Sequence, residues 1–242
     1  MRFEDFSYTH PGAPAPVLRR LSLAIEAGSF VAIVGGSGVG KSTLLRAAAG
    51  LTEPGHGHVC FDAKASAGRR SRAVVFQDSR LMPWRRVHGN VSYGLEGLGL
   101  SREEKRHRAQ EALALTGMTG LEDRWPHQLS GGQAQRVGIA RALAVKPDLL
   151  LMDEPFSAVD AITRRNLQAE LIRAWQNSGA AVLFVTHDIE EAVFLADRVI
   201  VLGGHPASIA GDHPIDLSRP RDRTTPEFGQ YVAAVSHSLE HV

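Results

Sequence analysis

The sequence predicts an α/β fold, a parallel sheet covered by helices with a helical segment inserted into it. Three observations carry this expectation. Strand-length apolar runs alternate with helix-length segments, first over residues 30–51 and again over residues 132–202. One of the runs ends in a glycine-rich loop that opens directly into a helix. Between about Val87 and Gln128 the strand signals vanish and the apolar spacing is helical throughout.

Taken in order, Leu21, Leu23 and Ile25 alternate with Ser22, Ala24 and Glu26, the pattern of a half-buried strand. Residues 30–34 form a short apolar run stopped by Gly35-Gly36, and the helical character of residues 41–51 ends at Thr52-Glu53-Pro54-Gly55. Residues 73–76 read as a buried strand. Within the helical insertion, Ser101 and Glu104 predict a capping box, and the charged stretch 102–106 is the solvated face of that helix. A helix over 132–144 leads to Leu149-Leu150-Leu151-Met152, an uninterrupted run of the kind buried on both faces of a parallel sheet. A helix over 161–177, a strand over 181–185, a helix over 189–195 and a strand over 199–202 complete the alternation. The last ~40 residues, rich in Pro, Arg, Asp and His, read as a poorly packed tail, too short for a separate domain. The expected organisation is therefore one domain, 1–242. Its core occupies about 1–86 and 146–205, its helical part about 87–145 and its tail about 206–242.

Composition narrows the function. The 242 residues carry 27 Lys plus Arg against 26 Asp plus Glu, a net charge of +1, which argues against non-specific binding to nucleic acid. Hydrophobic content of 43% and charged content of 22% exclude a disordered chain. The one cysteine, Cys60, makes no internal disulfide and fits a reducing compartment. No run approaches the roughly 18 apolar residues of a spanning helix. Met1-Arg2-Phe3-Glu4-Asp5 lacks the basic-then-apolar pattern of a signal peptide, so no leader is expected. There is no internal repeat, which removes solenoid folds.

Three motifs carry chemistry. Gly35-Gly36-Ser37-Gly38-Val39-Gly40-Lys41-Ser42-Thr43 satisfies G-x-x-x-x-G-K-[ST] between a predicted strand and a predicted helix. Its glycines let backbone N–H groups wrap a phosphate chain, and the helix N-terminus adds a positive dipole end. Lys41 would reach the β- and γ-phosphates, and the Ser42 hydroxyl would ligate Mg²⁺. Second, the apolar strand at 149–152 closes with Asp153-Glu154-Pro155, which places two carboxylates beyond the carboxyl edge of a sheet, where ligands bind. Asp153 suits a Mg²⁺ partner, and Glu154 suits a general base that polarises an attacking water. Third, Leu129-Ser130-Gly131-Gly132-Gln133 opens another helix and makes a second anion-receptive start. One phosphate chain does not easily use two such loops in a small domain, so this loop is expected to serve a nucleotide held by another copy of the chain.

Together with Gln77, Ser157-Ala158-Val159-Asp160 and His187, these motifs resemble the nucleotide-binding subunits of ABC transporters, in the family's order and over nearly the whole chain. The resemblance implies an ABC ATPase fold: a P-loop NTPase core, an N-terminal antiparallel β subdomain, and an inserted helical subdomain bearing the 129–133 signature. It implies ATP and Mg²⁺ as ligands and a homodimer. By the same resemblance Gln77 contacts Mg²⁺ and the attacking water, while Ser130, Gly132 and Gln133 contact the γ-phosphate held by the opposite protomer. Asp160 belongs to the loop joining the two sites, His187 is the switch histidine near the γ-phosphate, and Tyr8 stacks on adenine, with Phe6 and His10 as alternatives. Val159 stands where leucine is usual, a conservative departure. Implied partners are transmembrane permease subunits and, through them, a periplasmic or extracellular solute-binding protein, with no nucleic acid. The implied location is the cytoplasmic face of a bacterial inner membrane.

Residues 76–84, Phe-Gln-Asp-Ser-Arg-Leu-Met-Pro-Trp, followed by Asn90-Val91, look like importer ATPases of the nitrate, sulfonate and taurine group, as does the tail segment 215–222. Residues 76–81 and 165–168 are most similar to aliphatic-sulfonate importers. Trp84, Arg85 and Arg86 either dock a helix of the membrane subunit or form an ordinary turn with a packing aromatic. Among other classes, an ABC ATPase acting on DNA or ribosomes would need long insertions or tandem cassettes. A P-loop kinase gives no use for Ser130–Gln133 or His187, and intact Lys41 and Glu154 disfavour a non-hydrolysing module.

Overall fold

The computed structural model describes residues 1–62 and 68–241. In chain order the elements are β1 (Arg2–Tyr8), β2 (Leu18–Ala24), β3 (Phe30–Gly35), α1 (Lys41–Ala48), β4 (His56–Cys60), β5 (Arg72–Val75), α2 (Val87–Tyr93), α3 (Arg102–Leu115), a 3₁₀ turn (Pro126–Gln128), α4 (Gly131–Ala144), β6 (Leu149–Asp153), α5 (Ala161–Ser178), β7 (Ala181–Val185), α6 (Ile189–Leu195), β8 (Arg198–Gly203), β9 (Ser208–Pro214) and α7 (Pro226–Glu240). The chain divides into two units, one formed by residues 1–62 with 181–242 and one by residues 63–180.

In the first unit, β1 lies between β2 and β4 with both pairings antiparallel. Phe3, Phe6, Leu21 and Leu23 form its buried face. Phe3 and Phe6 are three residues apart yet share that face, because Asp5 adopts φ 48° and the register slips between them. Such a bulge breaks the two-residue period by which a strand is read, which is why β1 has no alternation in the sequence. The second sheet region is centred on β3, buried at every position, with β7 and β8 paired parallel on either side. Apolar residues on both faces are what a strand covered by helices on both sides requires.

The expectation of a poorly packed tail is overturned. β9 pairs antiparallel with β8 and makes the sheet mixed rather than purely parallel, while α7 packs against α6, β8 and β9. Ile215, Arg221, Phe228 and Val235 are buried. β9 escapes a hydropathy reading because its seven residues, Ser-Ile-Ala-Gly-Asp-His-Pro, alternate only between exposed and half-buried positions. Two of the arginines that make this stretch look solvated, Arg219 and Arg221, are spent on backbone carbonyls of the fold, and β9 is also tied to β8 by an ion pair at its edge. Arg198 donates two hydrogen bonds to Asp212, at 2.7 Å to Oδ1 and 2.5 Å to Oδ2, and holds that carboxyl below its ordinary range.

In the second unit β5 and β6 pair in parallel, with β6 buried from Leu149 to Met152. Helices α2, α3 and α4 pack on one another, and the insertion is helical as its spacing indicates. The predicted capping box forms: Ser101 Oγ accepts from Glu104 N at 3.2 Å, and Glu104 Oε2 accepts from Ser101 N at 2.9 Å.

Candidate functional site

The phosphate-loop motif runs from the last residue of β3 into α1. Gly40 caps that helix at φ 110°, and a Cβ there would meet the Leu18 side chain at 2.8 Å, so the turn admits glycine alone. α1 has no side-chain cap and no acidic residue in its first turn, which leaves the helix start to its own N–H groups and to Lys41. Lys41 is 7% exposed, and its Nζ donates to Gly35 O at 2.8 Å and Gly36 O at 2.9 Å. The ammonium is therefore held inside the loop. Gly36, Ser37, Gly38 and Ser42 are exposed around it, while Val39 and Thr43 anchor the loop and helix in the core.

β7 brings His187 to the same sheet edge. Ile33 is opposite Val185 in parallel register, and Thr186 N donates to Ile33 O at 3.2 Å, so the chain beyond β7 emerges beside the loop that leaves β3. Thr186 is buried. Its hydroxyl donates to Glu191 Oε2 at 2.6 Å and accepts from Asp188 N at 3.1 Å, and Asp188 Oδ1 in turn accepts from Glu191 N. Exposed His187 sits between the first two residues of this network. Tyr8 ends β1 half-buried, with its ring edge-on to His10 at 5.1 Å. Phe6 is fully buried against Phe3, so it is withdrawn as an alternative for the adenine role.

The remaining site residues lie in the second unit. Asp153 ends β6, and Glu154 follows at φ 43°, a left-handed conformation costing a non-glycine residue about 1 kcal/mol. Ser157 stabilises that turn by donating to Glu154 O from its N at 3.2 Å and its Oγ at 3.0 Å. Ser130 caps α4, accepting from Gln133 N at 3.2 Å, while Gln133 Oε1 accepts from Ser130 N at 3.0 Å. A Cβ on Gly132 would lie 3.1 Å from Ala158 O, so glycine allows the 130–133 loop to meet the segment before Asp160. Asp160 caps α5 through Thr163 N at 3.0 Å, and this hydrogen bond holds its carboxyl below the ordinary range. Val159, the departure from leucine, is buried.

Gln77 is exposed two residues beyond β5, in the loop that leaves the sheet. That loop is gripped by α4: Gln135 Nε2 donates to Phe76 O at 2.9 Å, and Arg141 donates to Ser79 O at 2.9 Å and Arg80 O at 3.0 Å. Asn90, fully buried, accepts from Met82 N and donates to Met82 O, Arg85 O and Arg86 O. Sequence reasoning missed these three clamps, since a Gln, an Arg and an Asn in helices read as solvated positions. They present Trp84 at 72% exposure, which removes the packing-aromatic alternative for that turn.

The proposed metal ligands offer a hydroxyl, a carboxylate and an amide oxygen (Ser42, Asp153, Gln77), a hard-oxygen set that suits Mg²⁺. Among the described residues no three His, Cys, Asp or Glu gather as a cage. Among the described residues no helix is long and apolar enough to cross a membrane.

Comparison with known proteins gives a consistent set of relatives. A family model described as "ABC transporter" matches residues 18–157, more than half of the chain. An uncharacterized ABC transporter ATP-binding protein of Methanocaldococcus jannaschii is 48% identical over 95% of this chain and 86% of its own length. The taurine import ATP-binding protein TauB of Pseudomonas syringae pv. tomato is 46% identical over 90% of this chain and 84% of its own. Among solved structures, an ATP-binding cassette in a dimeric post-hydrolysis state bound to ADP and Pi superposes with a TM-score of 0.80. It is 31% identical and covers 90% of this chain and 99% of that one.

Proposed function

The chain belongs to the ABC transporter family as an ATP-binding, ATP-hydrolysing subunit, and from that premise we propose that it is the motor of an importer. Two copies form a homodimer that holds two ATP, each engaged by the phosphate loop of one protomer and by the Ser130 loop of the other. The observation that carries this reading is the second glycine loop. It opens a capped helix, is kept free of side chains by Gly131 and Gly132, and lies against the segment leading to Asp160. A chain that used its nucleotide alone would need one such helix start, not two.

Lys41 engages the β- and γ-phosphates, and Ser130, Gly131, Gly132 and Gln133 reach the γ-phosphate of the partner's nucleotide. Backbone and ammonium donors aimed at the transferring phosphoryl group supply the largest part of catalysis in such reactions. Glu154 accepts a proton from the attacking water, and Gln77 and His187 orient water and γ-phosphate. Tyr8 stacks on adenine and Asp160 joins the two sites. Mg²⁺ held by Ser42, Asp153 and Gln77 would neutralise charge on the β- and γ-phosphates. The same reading takes residues 1–242 as one ABC ATPase domain, with its helical subdomain at about 87–145.

Motion of the dimer passes to transmembrane permease subunits at the inner face of the membrane, with a solute-binding protein on the far side. We take the cargo to be a small organic anion, an aliphatic sulfonate by the residues at 76–81 and 165–168. The same role for taurine is the second reading, favoured by the 46% identity with TauB, with nitrate or another small solute beyond it. Trp84, rigidly presented and exposed, is where the permease docks. Trp84→Ala is expected to abolish uptake into vesicles containing the permease while the ATPase rate of the isolated subunit stays at the wild-type value. Equal loss of both activities would remove Trp84 from coupling.

A further inference from the structure

α6 has seven residues, too few to be stable as an isolated helix, so its position depends on what holds its ends. Its N-terminal end is tied to the His187 turn by Thr186, Asp188 and Glu191. Its C-terminal end is held by the segment whose composition reads as a loose tail. Arg221, 8% exposed, donates to Val193 O at 2.6 Å, Phe194 O at 3.4 Å and Ala196 O at 2.6 Å, and also to Ile215 O and Leu217 O. Arg219 donates to Leu195 O at 2.7 Å and to Asp197 Oδ1 at 2.5 Å, while Asp197 Oδ2 accepts from Phe30 N at the start of β3. The guanidinium of Arg223 lies 4.2 Å from the centre of the Phe194 ring.

Between them, Arg219 and Arg221 engage the carbonyls of Val193, Phe194, Leu195 and Ala196, which the helix itself leaves without helical partners. Two cations at a helix C-terminus also complement its dipole. The arrangement has a cost. Burial, reinforced by the charge of Arg219, pulls the pKa of Arg221 down to about 10, yet the group is still a cation at neutral pH. An apolar side chain would fill the same space with less desolvation, but only a guanidinium delivers five donors to a fan of carbonyls.

We propose that Arg219 and Arg221 are positioning residues for hydrolysis: by locking the C-terminal end of α6 onto β3 and onto the segment that follows β9 they hold that helix as a strut, and the strut fixes the turn that carries His187. The inference rests on the role of His187 at the γ-phosphate proposed above. It gives the C-terminal segment a direct hold on the rate of turnover without any contact with nucleotide.

The experiment uses the full-length chain with Arg221→Met, Arg221→Lys, Arg219→Met, His187→Ala and the Arg221→Met/His187→Ala double variant. Steady-state ATPase kinetics, binding of a fluorescent ATP analogue and amide hydrogen exchange are measured on each. Arg221→Met is expected to lower kcat roughly 3–30-fold, with KM and analogue affinity unchanged. Exchange should quicken over residues 187–196 while α1 and β3 keep their protection. Arg221→Lys, which keeps charge but loses donors, should recover part of kcat. The double variant should be no slower than His187→Ala alone, because the arginine acts through the histidine. Additive losses in the double variant, or an unchanged kcat despite faster exchange at 187–196, would overturn the proposal. If Arg221→Met fails to fold, Arg219→Met carries the same comparisons. Wild-type turnover in His187→Ala would instead sink the role given to His187, a result separate from either of those.

Discussion

Glu154→Gln is expected to bind ATP with wild-type affinity and to hydrolyse it about 10²–10⁴-fold more slowly, the range over which a positioned general base contributes. The amide keeps the size and left-handed backbone of the residue but cannot accept a proton from water. Because the defect falls after binding, the closed dimer should accumulate, visible as an ATP-dependent doubling of mass in size-exclusion chromatography with light scattering. The substitution leaves the hydrogen bonds from Ser157 to the backbone carbonyl of Glu154 in place, so thermal stability should match wild type. A Glu154→Gln enzyme that turned over at the wild-type rate would assign the base elsewhere.

Lys41→Met is expected to fail earlier and more completely. The ammonium sits inside the phosphate loop, on the carbonyls of Gly35 and Gly36, where it is the one side-chain cation of the motif. A charge as buried as that of Lys41 is worth far more than one on a surface. Its removal should lower kcat about 10²–10³-fold, as for other transition-state donors, and weaken ATP binding as well. No ATP-dependent dimer should form. The two variants thus separate the roles, one losing turnover with the dimer trapped and the other losing nucleotide and dimer together. A Lys41→Met chain that bound the analogue and dimerised normally would contradict the placement of Lys41 on the phosphates.

What could be read from the residues, and what could not, follows from the range of the forces involved. The strands at 30–35, 149–153 and 181–185 were legible because strands buried on both faces must be apolar at nearly every position. The loops at 35–43 and 130–133 were legible because backbone wrapped closely around a ligand demands glycine, and helix starts demand a cap. The bulge at Asp5 concealed β1, since one residue at φ 48° shifts every later side chain to the other face. The C-terminal segment misled for a different reason. Its arginines look solvated in sequence, and only the fold reveals that Arg221 and Arg219 end on carbonyls of α6. Gln135, Arg141 and Asn90 were hidden in the same way, because a polar side chain that serves distant backbone has no local signature. Backbone strain at Glu154 is equally invisible in a sequence, although the residue itself was marked by its place after an apolar strand.

The most direct measurement is ATPase rate per chain as a function of protein concentration, with mass determined in parallel by light scattering. A cage completed by a second copy requires the specific activity to fall toward zero on dilution and to rise to a plateau as dimers form. The glycine loop at 130–133 should be needed only on the protomer opposite a working phosphate loop, so a Gly132→Val chain mixed with a Lys41→Met chain should regain one active site per mixed dimer. Constant specific activity down to concentrations at which the chain is entirely monomeric would contradict the shared cage.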